Sequence, residues 1–170
     1  MRSRRSHALG WSVGLFVTTL VVSASPALGA PTNPALPNAR LTPGATNPAV
    51  TPATIRSTIC VVGYTSRIRP AESYTEALKF RQLDSGYNLL GDTHARDYEE
   101  DHLVPLEVGG SPSAVANLWP EPRHLLWGAS RKDHLEDVLH GLVCRGAVSL
   151  SVAQRVFETN WIAGYRRYVG

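Results

Sequence analysis

The sequence predicts an α+β domain that combines a half-buried strand, a long helix with one buried face and additional flanking helices. Two observations carry this prediction. The stretch from Tyr98 to Leu106 is interpreted as a half-buried strand that leads into a loop, and a Gly-Gly-Ser-Pro turn follows at 109–112. From Gly128 to Val143 the apolar residues recur instead at helical spacing, so one face of that segment is expected to be buried.

Residues 1–29 are predicted to be a secretory signal peptide. Three arginines precede an apolar run from Trp11 to Val22, and small residues at 27–29 suit cleavage before Ala30. The run is too short to span a bilayer comfortably, although a retained membrane anchor is the alternative. We therefore expect a secreted, extracellular protein with no membrane association after signal removal.

The excess of basic over acidic residues in the full chain comes from the predicted signal peptide. The full chain carries 17 Lys and Arg against 14 Asp and Glu, and removal of the signal leaves 14 of each. Net charge is therefore no argument for nucleic-acid binding. Local basic groups remain, and each could contact a phosphate backbone or form an ordinary solvated surface: Arg67/Arg69, Lys79/Arg81, Arg123/Arg131/Lys132 and Arg166/Arg167.

The chain beyond the signal divides into a linker and one domain. Residues 30–57 are expected to be a disordered linker, because they are rich in Pro, Ala, Thr and Asn and have no aromatic residue. Residues 58–170 suffice for a single domain with one modest core. The expected elements are a strand or extended arm at 58–62, a helix at 71–83, strands at 96–106 and from about 117, and helices at 128–143, 149–157 and 161–168.

The stretch EDHLVPLEVGG, from Glu100 to Gly110, is closed by NLWP at 117–120 and carries the candidate chemistry. A neutral imidazole can take a proton from water near pH 7, and a carboxylate can hold a hard cation such as Mg²⁺. A base and a cation are the minimum for phosphodiester hydrolysis. An Asp-His pair alone is more often structural, and on a regular strand Asp101 and His102 would point to opposite faces unless a bulge or strand end intervenes.

The whole stretch from Glu100 to Pro122 resembles the motif of the HNH endonucleases, of the ββα-metal nuclease group, and the resemblance continues more weakly to about Cys144. It implies that a β-hairpin and a helix that crosses it form a small ββα-metal core. It also implies that His102 is the general base, that Asp101 is a metal ligand, and that Asn117 is a structural residue that pins the loop between the strands.

One position departs from the family pattern. The third signature residue, a His or Asn, has no clean match, because common spacing would place it near Leu126 or Trp127. Asp133, in the first turns of the predicted helix, is the candidate second metal ligand, with an ordinary first-turn acid as the alternative. Arg131 and Lys132 are the candidate phosphate-binding residues.

The metal expected is a divalent cation, with Mg²⁺ favoured and Mn²⁺ or Zn²⁺ as alternatives. Zinc ligation by other histidines is not expected, because the chain has no Cys-x-x-Cys pair and no recognised zinc spacing. These histidines are His94, His124, His134 and His140.

The function implied is that of a secreted, metal-dependent endonuclease that hydrolyses nucleic acid as a monomer. DNA is favoured over RNA, and little sequence specificity is expected because no recognition helix lies outside the compact domain. Two alternatives remain open. One is a catalytically inactive secreted module of the same fold that binds nucleic acid or a cell surface, and the other is a structural secreted domain stabilised by a disulfide.

The chain has two cysteines, Cys60 and Cys144, and they are predicted to form a disulfide. Secretion places the chain in an oxidising compartment, where an even cysteine count implies pairing. Two separately buried thiols are the alternative. The bond would tie the start of the domain to the end of the crossing helix.

Overall fold

The computed structural model describes residues 33–170, and the predicted signal peptide lies outside them. The helices and strands of this part are α1 Tyr64–Ile68, α2 Glu72–Asp84, β1 Tyr98–His102, β2 Leu118–Pro122, α3 Ala129–Cys144 and α4 Leu150–Tyr168. Helices combined with a two-stranded antiparallel sheet agree with the α+β prediction. None of the helices between residues 33 and 170 has both the length and the apolar character needed to cross a bilayer.

The hairpin pairs β1 with β2 so that Tyr98 lies opposite Pro122 and His102 lies opposite Leu118. The second strand begins where predicted, but the first is shorter than the predicted 96–106 at both ends. The chain leaves the sheet after His102, because Pro105 cannot donate to a ladder and a single 3₁₀ turn, Leu106–Val108, follows it. A loop at 103–117 therefore carries the rest of the motif between the strands.

The two glycines of the motif are required by this loop. Gly109 has a φ of 80°, in the left-handed region that side-chain-bearing residues rarely adopt. At Gly110 a Cβ would lie 1.7 Å from the carbonyl oxygen of Val104, so no side chain fits there. The glycines therefore let the loop fold back tightly on itself.

The core lies between the motif loop, α3 and α4. The predicted stripe of α3 is buried through Leu135, Leu139 and Val143, which belong to the same apolar cluster as Phe157 and Trp161 of α4. The two predicted C-terminal helices form one element with a break at Asn160, where φ is −167° and ψ is 91°. The break lies where the sequence analysis separated them.

Residues 33–57 are not the disordered linker that composition predicted. Ala35 and Val50 are buried in the main core. The Gly44 amide donates to the Ala116 carbonyl at 3.0 Å, and the Asn47 amide donates to the Gly109 carbonyl at 2.8 Å. Composition misses this packing because the segment docks largely through its backbone, which needs no aromatic side chain.

Cys60 and Cys144 form a disulfide, as predicted. Cys60 lies in turns that follow a short 3₁₀ helix at Ile55–Ser57, so the strand or extended arm expected at 58–62 is absent from the described chain. The bond joins these turns to the last residue of α3.

Candidate active site

The hairpin presents Asp101 and His102 to different sides. The register is unbroken through His102, and successive side chains of a strand point to opposite faces. Asp101 accordingly bonds to Lys132 of α3, whereas His102 lines a cleft with residues of α2. The bulge that would turn both side chains towards one point is absent from this hairpin.

The imidazole of His102 is held in one orientation. Its Nε2 lies 2.9 Å from the carbonyl oxygen of Pro112, which can only accept, so Nε2 carries the proton and donates it. Nδ1 is then the nitrogen with a free lone pair. Burial lowers the pKa of His102, although the charge of Asp101 opposes this, so the ring is neutral near pH 7 and can accept a proton.

The His102 cleft has a volume of about 320 Å³. It lies between β1 on one side and α2, with the two residues that precede α2, on the other. It is lined by Arg69, Pro70, Glu72, Thr75, Glu76, Glu99, Glu100, His102 and Arg123. Two guanidinium groups therefore share the cleft with the imidazole. The sequence analysis placed both arginines in local basic groups but could not assign them to this cleft, because they are far apart in sequence.

The two arginines of the cleft are held differently. Arg123 donates from Nε to the Tyr98 carbonyl at 3.0 Å and forms a 2.9 Å ion pair with Glu99. Arg69 has only a loose contact of 3.9 Å with Glu107, and 54% of its side chain is exposed. Arg69 is therefore the guanidinium that is available to an anion.

Glu100 contributes a buried carboxyl group to the same cleft. Neither of its oxygens has a hydrogen-bond partner among residues 33–170. Burial raises the pKa of Glu100 to about 8, against the opposing charge of Lys79, so the group is largely protonated at neutral pH. The sequence analysis gave this residue no role, because its burial depends on the packing of α2.

Lys132 is the centre of a buried ion cluster between α3 and the hairpin. Its side chain is 0% exposed, bonds to Asp101, and lies 2.6 Å from Glu136 and 3.5 Å from Glu121. Its role as a phosphate-binding residue, predicted from the sequence, is therefore wrong. The helical position faces the core, where an ammonium group is stable only beside carboxylates.

The two hairpin carboxyl groups that lie beside Lys132 differ in their ionisation. Burial would raise the pKa of Asp101, but the Lys132 ammonium outweighs burial and holds that pKa below its usual range. Glu121 is more poorly compensated, so burial raises its pKa well above the ordinary value despite Lys132. We infer a charged Asp101 beside a neutral Glu121.

A cation could be held at the solvent side of this cluster. Carboxylate oxygens of Asp101, Asp133 and Glu136 lie within 4.8 Å of one another, and an all-oxygen set suits Mg²⁺ or Mn²⁺ better than Zn²⁺. Partial burial, with the charge of Asp101 as the second cause, raises the pKa of Asp133 to about 6 although Lys132 opposes the shift. These residues fit a hard cation, although Asp101 and Glu136 would share it with Lys132.

Glu136 is the member of this group that sequence reasoning missed. It lies three residues after Asp133 and one turn after Lys132 on α3, so helical spacing alone would have placed it beside both.

Asn117 pins the motif loop. Its Oδ1 accepts from the Val104 amide at 2.9 Å and from the Ala45 amide at 3.2 Å. Its Nδ2 donates to the carbonyls of Val104 and Ser111 at 2.9 and 3.0 Å. The side chain thus joins both ends of the loop to the N-terminal segment, as expected of a structural residue.

Arg131 lies away from the His102 cleft. Its guanidinium stacks over Trp127 at 4.9 Å and lies 5.9 Å from the Tyr165 ring, in an aromatic group between α3 and α4. The structure therefore does not bring Arg131 and His102 into one site.

Comparisons with models of known protein families, with curated proteins and with solved structures found no match.

Proposed function

We propose that this protein is an extracellular, metal-dependent endonuclease of the HNH type that hydrolyses phosphodiester bonds of nucleic acid. The observation that carries the proposal is His102, a neutral imidazole whose Nε2 is fixed by the Pro112 carbonyl and whose Nδ1 is free, in a cleft that also contains Arg69 and Arg123. The hairpin, its pinned loop and α3 would then form the ββα-metal core. The Cys60–Cys144 disulfide supports the extracellular location.

In the proposed reaction Nδ1 of His102 takes the proton of a water molecule as that water attacks phosphorus. The hydrogen bond from Nε2–H to the Pro112 carbonyl holds the imidazole in one orientation during the proton transfer. Arg69 holds a phosphate oxygen of the substrate, since its guanidinium is exposed and nearly unpaired. Glu100, protonated and on the same side of β1 as His102, adds little negative charge to the cleft.

Asp101, Asp133 and Glu136, on the opposite side of β1 from His102, would hold the divalent cation, and the chemistry such a cation would supply is stabilisation of negative charge on a phosphate and its leaving oxygen. Lys132 sets the ionisation of this group by keeping Asp101 charged. DNA is the favoured substrate, with little sequence specificity, because the cleft offers groups that contact phosphate rather than base edges.

The proposal is tested with the purified mature protein, its disulfide intact, on plasmid DNA and on single-stranded RNA. We expect cleavage in Mg²⁺ or Mn²⁺ that stops in EDTA and returns when the cation is restored. Cleavage that survives EDTA would contradict the metal-dependent mechanism. No cleavage of either substrate with any of Mg²⁺, Mn²⁺ or Zn²⁺ would contradict the assignment as a nuclease.

A second candidate is a binding module of the same fold that lacks catalysis. It is favoured by a specific observation: Lys132 is already paired with Asp101 and Glu136, and Asp101 and His102 lie on opposite sides of β1. Fluorescence anisotropy with a labelled oligonucleotide distinguishes the two candidates. Salt-sensitive binding without cleavage would support the module, whereas binding followed by cleavage supports the nuclease.

A further inference from the structure

A second group of metal-ligand side chains lies at the far end of α3. The two sulfurs of Cys60 and Cys144 and a ring nitrogen of His140 lie within 4.8 Å of one another. His140 and Cys144 are four residues apart on α3, so they share a face of the helix, and Cys60 reaches them from the N-terminal turns. This group shares no residue with the Asp101 cluster.

The imidazole of His140 is held in one tautomer. Its Nε2 lies 2.9 Å from the carbonyl oxygen of Ile59, so Nε2 carries the proton and donates it, and Nδ1 has the free lone pair. Histidines that bind metal characteristically donate their other ring N–H to a carbonyl or carboxylate, which fixes the tautomer and the ring. The residue that precedes Cys60 thus orients the histidine beside Cys60.

There is also space next to Cys60 and His140. A cavity of about 140 Å³ is bordered by Cys60, His140 and Glu107, among other residues. The Glu107 carboxylate has only the loose 3.9 Å contact with Arg69, so it is the candidate fourth donor, with a water molecule as the alternative.

We propose that reduction of the Cys60–Cys144 disulfide opens a Cys₂His site for a thiophilic divalent cation of the Zn²⁺ class, with Glu107 or water as the fourth ligand. A dithiol reductant supplies two electrons and two protons, so that it becomes a disulfide while Cys60 and Cys144 become thiols. Binding of the cation then displaces both thiol protons and leaves two thiolates and an imidazole on the metal.

The disulfide and the metal are alternative links between the same two segments. In the oxidised protein the sulfurs are bonded to each other and cannot act as thiolates, so the site is closed. In the reduced protein the cation would again join the turns around Cys60 to the end of α3. A chain that has not yet formed its disulfide would thereby keep the same connection.

The test uses the mature protein, reduced with dithiothreitol and freed of it by anaerobic gel filtration, and Co²⁺ as the spectroscopic probe. We expect the reduced protein to bind Co²⁺ with thiolate-to-metal charge-transfer bands and the d–d bands of a tetrahedral site, and Zn²⁺ to displace it. The oxidised protein should show neither band. Carboxylate groups elsewhere in the protein cannot produce the charge-transfer bands, so binding at Asp133 or Glu136 does not interfere.

The matched variant is His140→Gln, which keeps both cysteines. It should weaken Co²⁺ binding by the reduced protein on the order of 10-fold or more and alter the d–d bands, while the oxidised variant stays folded. If the metal-free reduced chain unfolds, addition of Zn²⁺ should restore its helical circular dichroism. The proposal is overturned if a folded reduced protein shows no charge-transfer bands, if Zn²⁺ fails to refold an unfolded one, or if His140→Gln binds Co²⁺ as the parent does.

Discussion

Neighbouring residues of β1 lie in different electrostatic environments, and these environments determine their protonation states. Asp101 is kept charged by the buried ammonium of Lys132, whereas burial keeps His102 neutral and Glu100 protonated. The motif identified Asp101 and His102 because their residue types and spacing are visible in a sequence. The ionisation of Glu100 and the burial of Lys132 could not be predicted, since both depend on which elements pack over the strand.

Removal of the imidazole should abolish most of the proposed activity. We expect His102→Ala to lower the cleavage rate by ~10²-fold or more, because that is the usual contribution of a general base. The matched control is His134→Ala, which removes an exposed histidine of α3 outside the cleft. Initial rates on plasmid DNA measure the effect, and near-parental cleavage by a folded His102→Ala protein would exclude His102 from the mechanism.

Arg69 should contribute to substrate binding rather than to the fold. Its guanidinium is half-exposed with one loose partner, so Arg69→Ala should weaken oligonucleotide binding by on the order of 10-fold, the effect of one charge-assisted hydrogen bond. Arg67→Ala is the matched control, because Arg67 stacks on Tyr64 and does not line the cleft. Equal losses in the two variants, measured by anisotropy, would indicate only a general charge effect.

Asp133 offers the cleanest test of the cation site, because it forms no ion pair with Lys132 and its replacement leaves the Lys132 ion cluster intact. We expect Asp133→Asn to weaken Mg²⁺ and Mn²⁺ binding by calorimetric titration and to reduce cleavage in parallel. Asp137→Asn removes an exposed acid one turn later and should change neither. Equal affinity for Mn²⁺ in the parent and in Asp133→Asn would remove Asp133 from the ligand set.

Whole elements were predicted to different degrees. The helix α3 follows from its apolar periodicity, because a helical stripe reports directly on burial, whereas the hairpin was predicted from the resemblance of its motif to a known family. The segment at 33–57 was missed because it packs through backbone hydrogen bonds and through small or aliphatic residues such as Ala35 and Val50. The prediction of a strand or extended arm at 58–62 was wrong, because no strand among residues 33–170 pairs with this short β-branched run.

Tyr87 should be a main anchor of that N-terminal segment. Its hydroxyl accepts from the Asn38 amide at 3.0 Å and lies 2.9 Å from the Thr42 hydroxyl, so Tyr87→Phe should lower the free energy of unfolding by about 1 kcal/mol. Denaturant titration measures this loss. The control is Tyr74→Phe, whose hydroxyl bond to Ser113 is exposed and should matter less.

The same residue should make the fold sensitive to alkali. Burial raises the pKa of Tyr87 from 10.0 to about 12, so its stabilisation is complete below pH 10 and is lost as the pH rises through 12. Melting temperatures between pH 9 and pH 11 should therefore fall less in Tyr87→Phe than in the parent. Some slope should remain, because burial also raises the pKa of Tyr98. Identical slopes would show that Tyr87 is not buried as described.

At the scale of the whole molecule, the disulfide is a covalent link between the turns around Cys60 and the end of α3. It joins residues separated by 84 positions and encloses the hairpin, the His102 cleft and nearly all of α3. Its pairing was predictable because the chain has only two cysteines. The packing of residues 33–57 against the motif loop could not be predicted, because it depends on backbone hydrogen bonds that form only in the folded chain. The candidate site thus lies inside a closed loop whose ends meet at Cys60 and Cys144.

Breaking this link should loosen α3, which carries Asp133 and Glu136. In the chain-entropy model a loop of this length stabilises the fold by roughly 4 kcal/mol, so the double variant Cys60→Ser/Cys144→Ser should melt at a clearly lower temperature. It should also lose cleavage activity, since the carboxylates on α3 would be held less firmly against Asp101. Because the variant has no thiols, it cannot gain a substitute metal link. An unchanged melting temperature in calorimetry would show that packing alone holds α3 in place.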